Sequence, residues 1–291
     1  MYLMNQSKGL IMSTAKMDTN KPQKYDPSLY AASEIAKPYE HWDQIDLQTY
    51  QTDGYLALNP ALTAEQVQSA SDGLTALIRG DVPDYDQVQF ESMDEQQIKS
   101  LNADERVLHV RRLFSFCRFE ERLNAVMRDP RIIATVTQML GDRQPICFQE
   151  MALLKPPKGR EKPWHQDHAY FNLTMGEPVV GVWIALDDAT VQNGCMHVLP
   201  GSHRAGAKVH FKRRDWQICD TDIMGQAITA VPLDAGGLMF FDGLLHHGTP
   251  HNPTMLRRRA LQFHYCAQDA KWTDEAARLA VFGSEGKNVS C

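Results

Sequence analysis

Residues 236–249 read Gly-Gly-Leu-Met-Phe-Phe-Asp-Gly-Leu-Leu-His-His-Gly-Thr. The apolar run at 237–241 has the length of a buried strand. It leads to two adjacent histidines, His246 and His247, at a turn that contains glycine. Histidines that a strand delivers to a turn are candidates for metal binding or catalysis. The stretch therefore predicts a β-rich core with a histidine site at one end of a strand.

Short apolar runs separated by Pro, Gly and Asn continue this pattern over the C-terminal half of the chain. Such runs between turn residues are typical of strands. They cover residues 146–154, 179–186, 195–199, 228–233, 237–241 and 258–267. Many short strands after a helical first half predict an α+β chain with a mainly β core, either a sandwich or a barrel.

The first half of the chain carries the helical patterns. A short helix over 46–53 is expected to lead into a strand at 54–58. Thr63 begins a capping-box pattern, and the apolar spacing after it continues at helical period to Gly80. A second helical block covers about 119–140.

Domain boundaries follow from these patterns. Residues 1–45 lack sustained periodicity and predict a flexible tail, and the acidic, Gln-rich segment 81–104 predicts a surface loop or irregular helix. We expect a single domain over 46–291, with a helical part over about 46–142 and the β core over about 145–268.

Composition excludes several classes of protein. Of the 291 residues, 43% are hydrophobic and 23% charged, as in globular proteins rather than disordered or fibrous chains. The formal net charge of −6 argues against a nucleic-acid partner, and the longest apolar run, 179–186, is too short to span a membrane. The six cysteines include no Cys-x-x-Cys, so we expect reduced thiols and a cytoplasmic location.

The segment Pro163-Trp164-His165-Gln166-Asp167 holds a second group of candidate ligands. In an extended segment, residues i and i+2 project to the same side, so His165 and Asp167 can reach one point. Two histidines and one carboxylate suit iron(II) that must also bind O₂ and a co-substrate. The chain has one other His-x-Asp pair, His41-Trp42-Asp43, which we interpret as coincidence because chance alone gives about one such pair.

Arg258 opens the strand that follows His247. A guanidinium that enters the interior of a sandwich needs an anion, and its planar fork matches a carboxylate. His264 lies in phase with Arg258 on the same strand and can face the same side, where we expect a hydrogen-bonded core histidine.

At these motifs the sequence resembles the phytanoyl-CoA dioxygenase-like branch of the iron(II)/2-oxoglutarate oxygenases. The matching segments are LLKPP (153–157), WHQD (164–167), NGCMHVLPGSHR (193–204), FFDGLLHHGTPHN (240–252) and RRRALQFHY (257–265). They stand in the family's order and at its spacing. The resemblance is close over about 145–268 and looser over 46–140.

This resemblance implies a fold, a set of cofactors and a set of site residues. The fold is a double-stranded β-helix (jelly roll) with the N-terminal helices packed outside it. Iron(II) is bound by His165, Asp167 and His247, because the family's distal ligand directly precedes the glycine. The co-substrate 2-oxoglutarate, used with O₂, is held through its far carboxylate by Arg258 with help from Thr249. Positions that line the cofactor or substrate pocket are matched by Gln149, Met151 and Trp183.

Several other polar residues receive structural interpretations. His109 falls near a family position that is often Lys, and we leave it out of the site. We expect His246 to pack on the exterior of the sandwich and His203 to hold a turn. The basic cluster is expected to be a solvated loop, with contact to an anionic substrate as the alternative; it consists of Lys208, Lys212, Arg213 and Arg214.

The expected function is hydroxylation of an unactivated C–H bond of a small organic or acyl substrate, with release of succinate and CO₂. Because Asp167 supplies a carboxylate where related halogenases have a small residue, halogenation is disfavoured. Desaturation, cyclisation and epimerisation use the same ligands and stay open. The alternative from another class is a non-catalytic jelly-roll protein that binds metal and a carboxylate as a sensor or carrier. A cupin-like enzyme without 2-oxoglutarate is disfavoured by Arg258.

Overall fold

The computed structural model describes residues 24–91 and 95–283. Its helices are α1 (Leu47–Asp53), α2 (Ala64–Arg79), α3 (Glu95–Ser100), α4 (Ala103–His109), α5 (Glu121–Met127), α6 (Pro130–Met139), α7 (Asp220–Ile223) and α8 (Glu275–Phe282). Its first seven strands are β1 (Glu34–Ile35), β2 (Tyr55–Leu58), β3 (Val88–Phe90), β4 (Val110–Phe114), β5 (Pro145–Lys155), β6 (Lys162–His165) and β7 (Val180–Ala185). The remaining strands are β8 (Met196–Val198), β9 (His210–Lys212), β10 (Trp216–Ile218), β11 (Thr229–Val231), β12 (Leu238–Asp242), β13 (His247–Thr249) and β14 (Arg258–Ala267).

Two sheets form the core. The larger has seven strands in the order β2-β12-β7-β14-β5-β4-β3, and the smaller has five in the order β1-β11-β8-β13-β6. All pairings are antiparallel except β1 with β11. The sheets follow a jelly-roll arrangement, as the resemblance implied, and each predicted apolar run of the second half forms a strand.

Strand β7 shows how the two layers of the core are built. It is buried on both faces. Val182 and Ile184 belong to a cluster that also contains Leu74 of α2 and Ile132 of α6, so helices cover this face of the large sheet. The alternate residue Trp183 belongs to a second cluster that includes residues of β8 and β11 in the small sheet. Period-2 alternation therefore separates a helix-facing layer from a layer between the sheets.

The local signals at helix ends act as the sequence predicts. The Thr63 hydroxyl accepts from the Gln66 amide, the Gln66 side chain accepts from the Thr63 amide, and α2 ends at Gly80 in the left-handed conformation. The block at 119–140 consists of two helices rather than one. They are separated at Asp129, which caps α6, because Pro130 fits only the first turn of a helix.

The prediction for the N-terminal tail needs correction, and the one for 81–104 is incomplete. Residues 24–45 are not a flexible tail: β1 pairs with β11, and Leu29 and Tyr30 are buried against Trp164, whose indole N–H donates to the Leu29 carbonyl. The rest of the predicted tail lies outside the described residues. The segment 81–104 contains α3 and the start of α4, in agreement with the irregular-helix alternative, and also the strand β3, which was not predicted.

The cysteines agree with the expectation of reduced thiols at most described positions. Cys117, Cys147, Cys195 and Cys266 are free thiols. Cys219 is disulfide-bonded, so the expectation is wrong there. Among the described helices, none combines the length and the apolar character that crossing a membrane requires.

Candidate functional site

Three side chains from different elements converge between the sheets. His165 ends β6, Asp167 follows it, and His247 begins β13. Their potential ligand atoms all lie within 4.8 Å of one another, and all three residues are buried. The Asp167 Oδ1 atom is 3.2 Å from His165 Nε2 and 3.6 Å from His247 Nε2. In the described part of the chain this is the one group of three or more His, Cys, Asp or Glu residues with the spacing of a metal site.

Both imidazoles are oriented so that their Nε2 lone pairs are directed towards Asp167 Oδ1. His165 Nδ1–H donates to the Pro163 carbonyl at 2.8 Å, and His247 Nδ1–H donates to the Leu245 carbonyl at 3.0 Å. Because each Nδ1 carries the proton, each Nε2 is an acceptor that faces a carboxylate acceptor. Three converging acceptors with no donor between them require a cation, so the donor set fits a metal ion.

Electrostatics keep all three candidate ligands in the form that binds metal. Burial lowers the pKa of His165 to about 3, and burial likewise lowers the pKa of His247. Burial alone raises the pKa of Asp167, but the His247 and His264 imidazoles hold it well below its usual value. Neutral imidazoles and an ionised carboxylate are the forms that coordinate metal at neutral pH.

Two side chains of β14 hold the second oxygen of Asp167. His264 Nε2 donates to Asp167 Oδ2 at 2.7 Å, and Gln262 Nε2 donates to the same atom at 2.9 Å. Both residues are buried. Oδ2 is therefore satisfied by the protein while Oδ1 faces the two histidines, an arrangement that orients a metal-binding carboxylate. His264 is the hydrogen-bonded core histidine expected from the sequence, but neither its partner nor the contribution of Gln262 was foreseen.

The backbone brings the three groups together differently from the extended segment that we expected. His165 and His247 are direct partners in the antiparallel pair β6–β13. Asp167, however, is not in a strand; it opens a single 3₁₀ turn, Asp167–Tyr170, immediately after β6. The chain turns after Gln166, and the carboxylate still reaches the two imidazoles.

Arg258 is the candidate anion-binding group that the sequence predicts. It is 3% exposed, and its Nε and Nη1 atoms have no hydrogen-bond partner in the structure. Its guanidinium carbon lies 5.2 Å from the centre of the Trp183 ring, whose indole nitrogen also lacks a partner. Burial lowers the pKa of Arg258 to about 10, so the group stays charged at neutral pH. A buried, unpaired guanidinium fits the carboxylate of a small ligand such as 2-oxoglutarate.

One cavity joins the metal-type cluster to this guanidinium. All eight residues expected from the sequence lie in its wall: Gln149, Met151, His165, Asp167, Trp183, His247, Thr249 and Arg258. The Gln149 side-chain oxygen is buried without a partner, as are the free atoms of Arg258. The cavity therefore presents unpaired polar groups to a ligand on one side and the three converging acceptors on the other.

Other cavity residues were not found by sequence reasoning. Arg111 and Arg112 of β4 both line the wall, and the β3–β4 pairing skips Arg111. Such a bulge interrupts the alternation of side chains, so both arginines reach the same space. Lys162 and Tyr170 also line the cavity, and Lys162 Nζ donates to the Tyr170 hydroxyl at 2.9 Å.

Several residues set aside by sequence reasoning lie outside the cavity wall. His246 is buried beside His247 but is absent from the metal-type cluster and from the cavity lining. His109 also lies outside the lining, and His203 Nε2 bonds the Gln51 carbonyl, consistent with a structural role. His41 of the second His-x-Asp pair is exposed.

The basic cluster is not uniformly a solvated loop, which corrects the prediction made for it. Arg214 is nearly buried and forms ion pairs with Glu161 and Asp220. Lys212 and Arg213, in contrast, are exposed. None of the four basic residues lines the cavity.

Comparisons with known proteins agree with this geometry. The family model described as phytanoyl-CoA dioxygenase (PhyH) matches residues 50–260. Phytanoyl-CoA dioxygenase domain-containing protein 1 of Bos taurus is 24% identical over 255 residues, covering 75% of this chain and 88% of that protein. Among solved structures, the carbocyclase SnoK from nogalamycin biosynthesis has a TM-score of 0.63 and 19% identity, covering 86% of this chain and 96% of its own. The epimerase SnoN, solved with Fe³⁺, alpha ketoglutarate and nogalamycin RO, has a TM-score of 0.63 and 19% identity, and the match covers 80% of this chain and 86% of the SnoN chain.

Proposed function

The chain belongs to the phytanoyl-CoA dioxygenase family and is an iron- and 2-oxoglutarate-dependent oxygenase, and on that basis we propose that it is a hydroxylase. Its substrate is a small organic or acyl compound, and the reaction adds a hydroxyl group at an unactivated C–H bond with release of succinate and CO₂. The observation that carries this proposal is a single cavity that contains both the converging acceptors of His165, Asp167 and His247 and the unpaired guanidinium of Arg258.

The three converging side chains are assigned to iron(II). His165 Nε2, Asp167 Oδ1 and His247 Nε2 would hold the ion, since their other polar atoms are already bonded to the protein. A site of two histidines and one carboxylate leaves ligand positions open for small molecules. Iron(II) bound there with 2-oxoglutarate and O₂ supplies the oxidising power for C–H hydroxylation. The protein's own contribution is to orient the ligands and to exclude bulk water from the buried cluster.

Arg258 is assigned to the far carboxylate of 2-oxoglutarate. Its Nε and Nη1 atoms have no partner in the protein, so the guanidinium can donate to a carboxylate, and the Thr249 hydroxyl lies in the same wall. Gln149, Met151 and Trp183 complete the surroundings of the co-substrate and of the adjoining substrate space. The co-substrate would therefore bind with its far carboxylate at Arg258 and its other end towards the three acceptors.

The identity of the third ligand supports hydroxylation rather than halogenation. A halide needs a coordination position that a carboxylate ligand would otherwise fill. Here Asp167 is present, ionised and fixed through Oδ2 by Gln262 and His264. The mass of the product distinguishes hydroxylation from the other reactions that use the same ligands. Hydroxylation adds one oxygen atom, whereas desaturation removes two hydrogens and epimerisation leaves the mass unchanged.

The decisive experiment replaces the carboxylate ligand. Succinate formation from 2-oxoglutarate is measured with a panel of acyl-CoAs and free carboxylic acids, and the wild-type protein is compared with Asp167→Ala. We expect substrate-dependent succinate to disappear in the variant. Asp43→Ala is the matched control, since Asp43 is exposed and belongs to the coincidental His-x-Asp pair. Full turnover by Asp167→Ala would refute the ligand assignment.

A further inference from the structure

A second buried cation stands directly beside Arg258. Lys155, the last residue of β5, is the cross-strand partner of Arg258 in the β5–β14 pair. Lys155 is 6% exposed and Arg258 is 3% exposed, and both line the cavity. Directly opposed residues in an antiparallel pair have side chains in contact range, and like charges placed this way destabilise the fold.

Neither cation forms an ion pair with a carboxylate among the described residues. In the described part of the chain no carboxylate lies within ion-pair distance of Lys155 or Arg258. Lys155 Nζ instead donates to three backbone carbonyls: those of Arg160 at 3.1 Å, Thr249 at 3.4 Å and Pro250. Three carbonyl acceptors use all three protons of an ammonium group and favour the charged form. The pair thus has no ion-paired carboxylate of its own; Glu161 and Glu91 act on Lys155, and Asp187 acts on Arg258, only at longer range.

The position of the lysine is set by close contacts along its stem. A Cβ atom added to Gly159 would lie 2.9 Å from Lys155 Cγ, and one added to Gly194 would lie 3.1 Å from Lys155 Cδ. Any larger residue at either position would press on the lysine chain. Lys155 therefore passes through a slot between two glycines and delivers its ammonium to the end of β13, at the Thr249 and Pro250 carbonyls.

We propose that Lys155 is a positioning residue for 2-oxoglutarate: it fixes the Thr249–Pro250 backbone beside Arg258 and supplies a second positive charge for the far carboxylate. This inference rests on the proposed function, in which Arg258 binds that carboxylate. The two cations repel each other until an anion enters, so the site favours a ligand with a charged far end over an otherwise similar ligand without one. Burial and the neighbouring Arg258 lower the pKa of Lys155, a direction that a bound carboxylate would reverse.

The test compares two ligands that differ only in the far carboxylate. Binding of 2-oxoglutarate and of 2-oxopentanoate to the iron(II) protein is measured by calorimetry without O₂. Lys155→Met is expected to weaken 2-oxoglutarate binding by about tenfold or more, as loss of one nearby charge in a partly buried site implies. Binding of 2-oxopentanoate should change by no more than about twofold, because that ligand has no charge at this end.

Two further variants separate the electrostatic role from a loss of folding. Lys155→Gln keeps an amide donor for the loop carbonyls but removes the charge, and it should lose the same discrimination between the two ligands. Lys158→Met is the matched control, since Lys158 is exposed in the turn that follows β5 and does not line the cavity. Equal weakening of both ligands, or unchanged discrimination in Lys155→Met and Lys155→Gln, would overturn the role of Lys155. A wild-type protein that does not discriminate between the ligands would instead refute the assignment of Arg258, and with it the proposed function.

Discussion

Replacing His264 by alanine should weaken iron binding although His264 is not among the proposed ligands. The reason lies at Asp167 Oδ2, which accepts from His264 at 2.7 Å and from Gln262 at 2.9 Å. A hydrogen bond to a charged group contributes about 1.5–3 kcal/mol, which corresponds to roughly a 10- to 150-fold change in an equilibrium constant. Because Gln262 still holds Oδ2 in the single variant, we expect the lower end, about tenfold weaker iron(II) binding.

The assay is titration of metal-free protein with iron(II) under argon, followed by calorimetry. The double variant Gln262→Ala/His264→Ala should bind iron about 100-fold more weakly than the wild type, since both donors to Oδ2 are lost. At saturating iron the single variant should recover much of its succinate formation, which a variant of a direct ligand should not. His41→Ala is the control, because His41 is exposed and outside the cavity wall. Iron affinity within twofold of wild type in the double variant would show that Oδ2 needs no support.

Two other predictions concern buried ionisable side chains. Arg258→Ala should weaken 2-oxoglutarate binding by about 100-fold or more while leaving iron affinity nearly unchanged, and exposed Arg257→Ala should affect neither; a fall in iron affinity alone would contradict this. Burial lowers the pKa of His197 to about 4, of His210 to about 3 and of His246 to about 4. Since these folded values lie below the unfolded 6.5, the stability they contribute is present above pH 6.5 and is lost as pH falls towards 4. The three histidines together should lower the free energy of unfolding at pH 5.5 by about 4 kcal/mol relative to pH 7.5. Thermal unfolding at the two pH values measures this, and an equal Tm at both would refute it.

The proposed ligand set could be predicted because the sequence resembles the family at these motifs; the His165–Asp167 pair alone is no rarer than chance, and the family's motif is what favours His247 over His246. His165 and Asp167 are two positions apart, and His247 directly precedes a glycine at the end of an apolar run. The structure brings these residues within 4.8 Å of one another, although through a 3₁₀ turn rather than the extended segment we expected. Short spacing limits where side chains can go, so this change in backbone conformation did not separate the groups.

The supporting residues could not be predicted because their partners are distant in sequence. His264 reaches Asp167 across 97 positions, and Gln262 reaches it across 95. The register of β14 against β5 and β7 determines these contacts, and no local sequence pattern predicts that register. Residues 24–45 were misjudged for a related reason. A two-residue strand leaves almost no periodicity, and its stability comes from β11, a strand far along the chain.

Strand β14 links the two halves of the proposed site. Arg258, Gln262 and His264 have the same parity, so they face the same side of the sheet, one at the anion end and two at Asp167. At about 3.4 Å per residue, Arg258 and Gln262 are separated by roughly 14 Å of strand, and both side chains line the cavity. The spacing between the carboxylate-binding group and the proposed iron ligands is thus set by a single strand. A slip of one residue in β14 would turn Arg258 and Gln262 out of the cavity and His264 away from Asp167, so both halves of the site depend on the register of this strand.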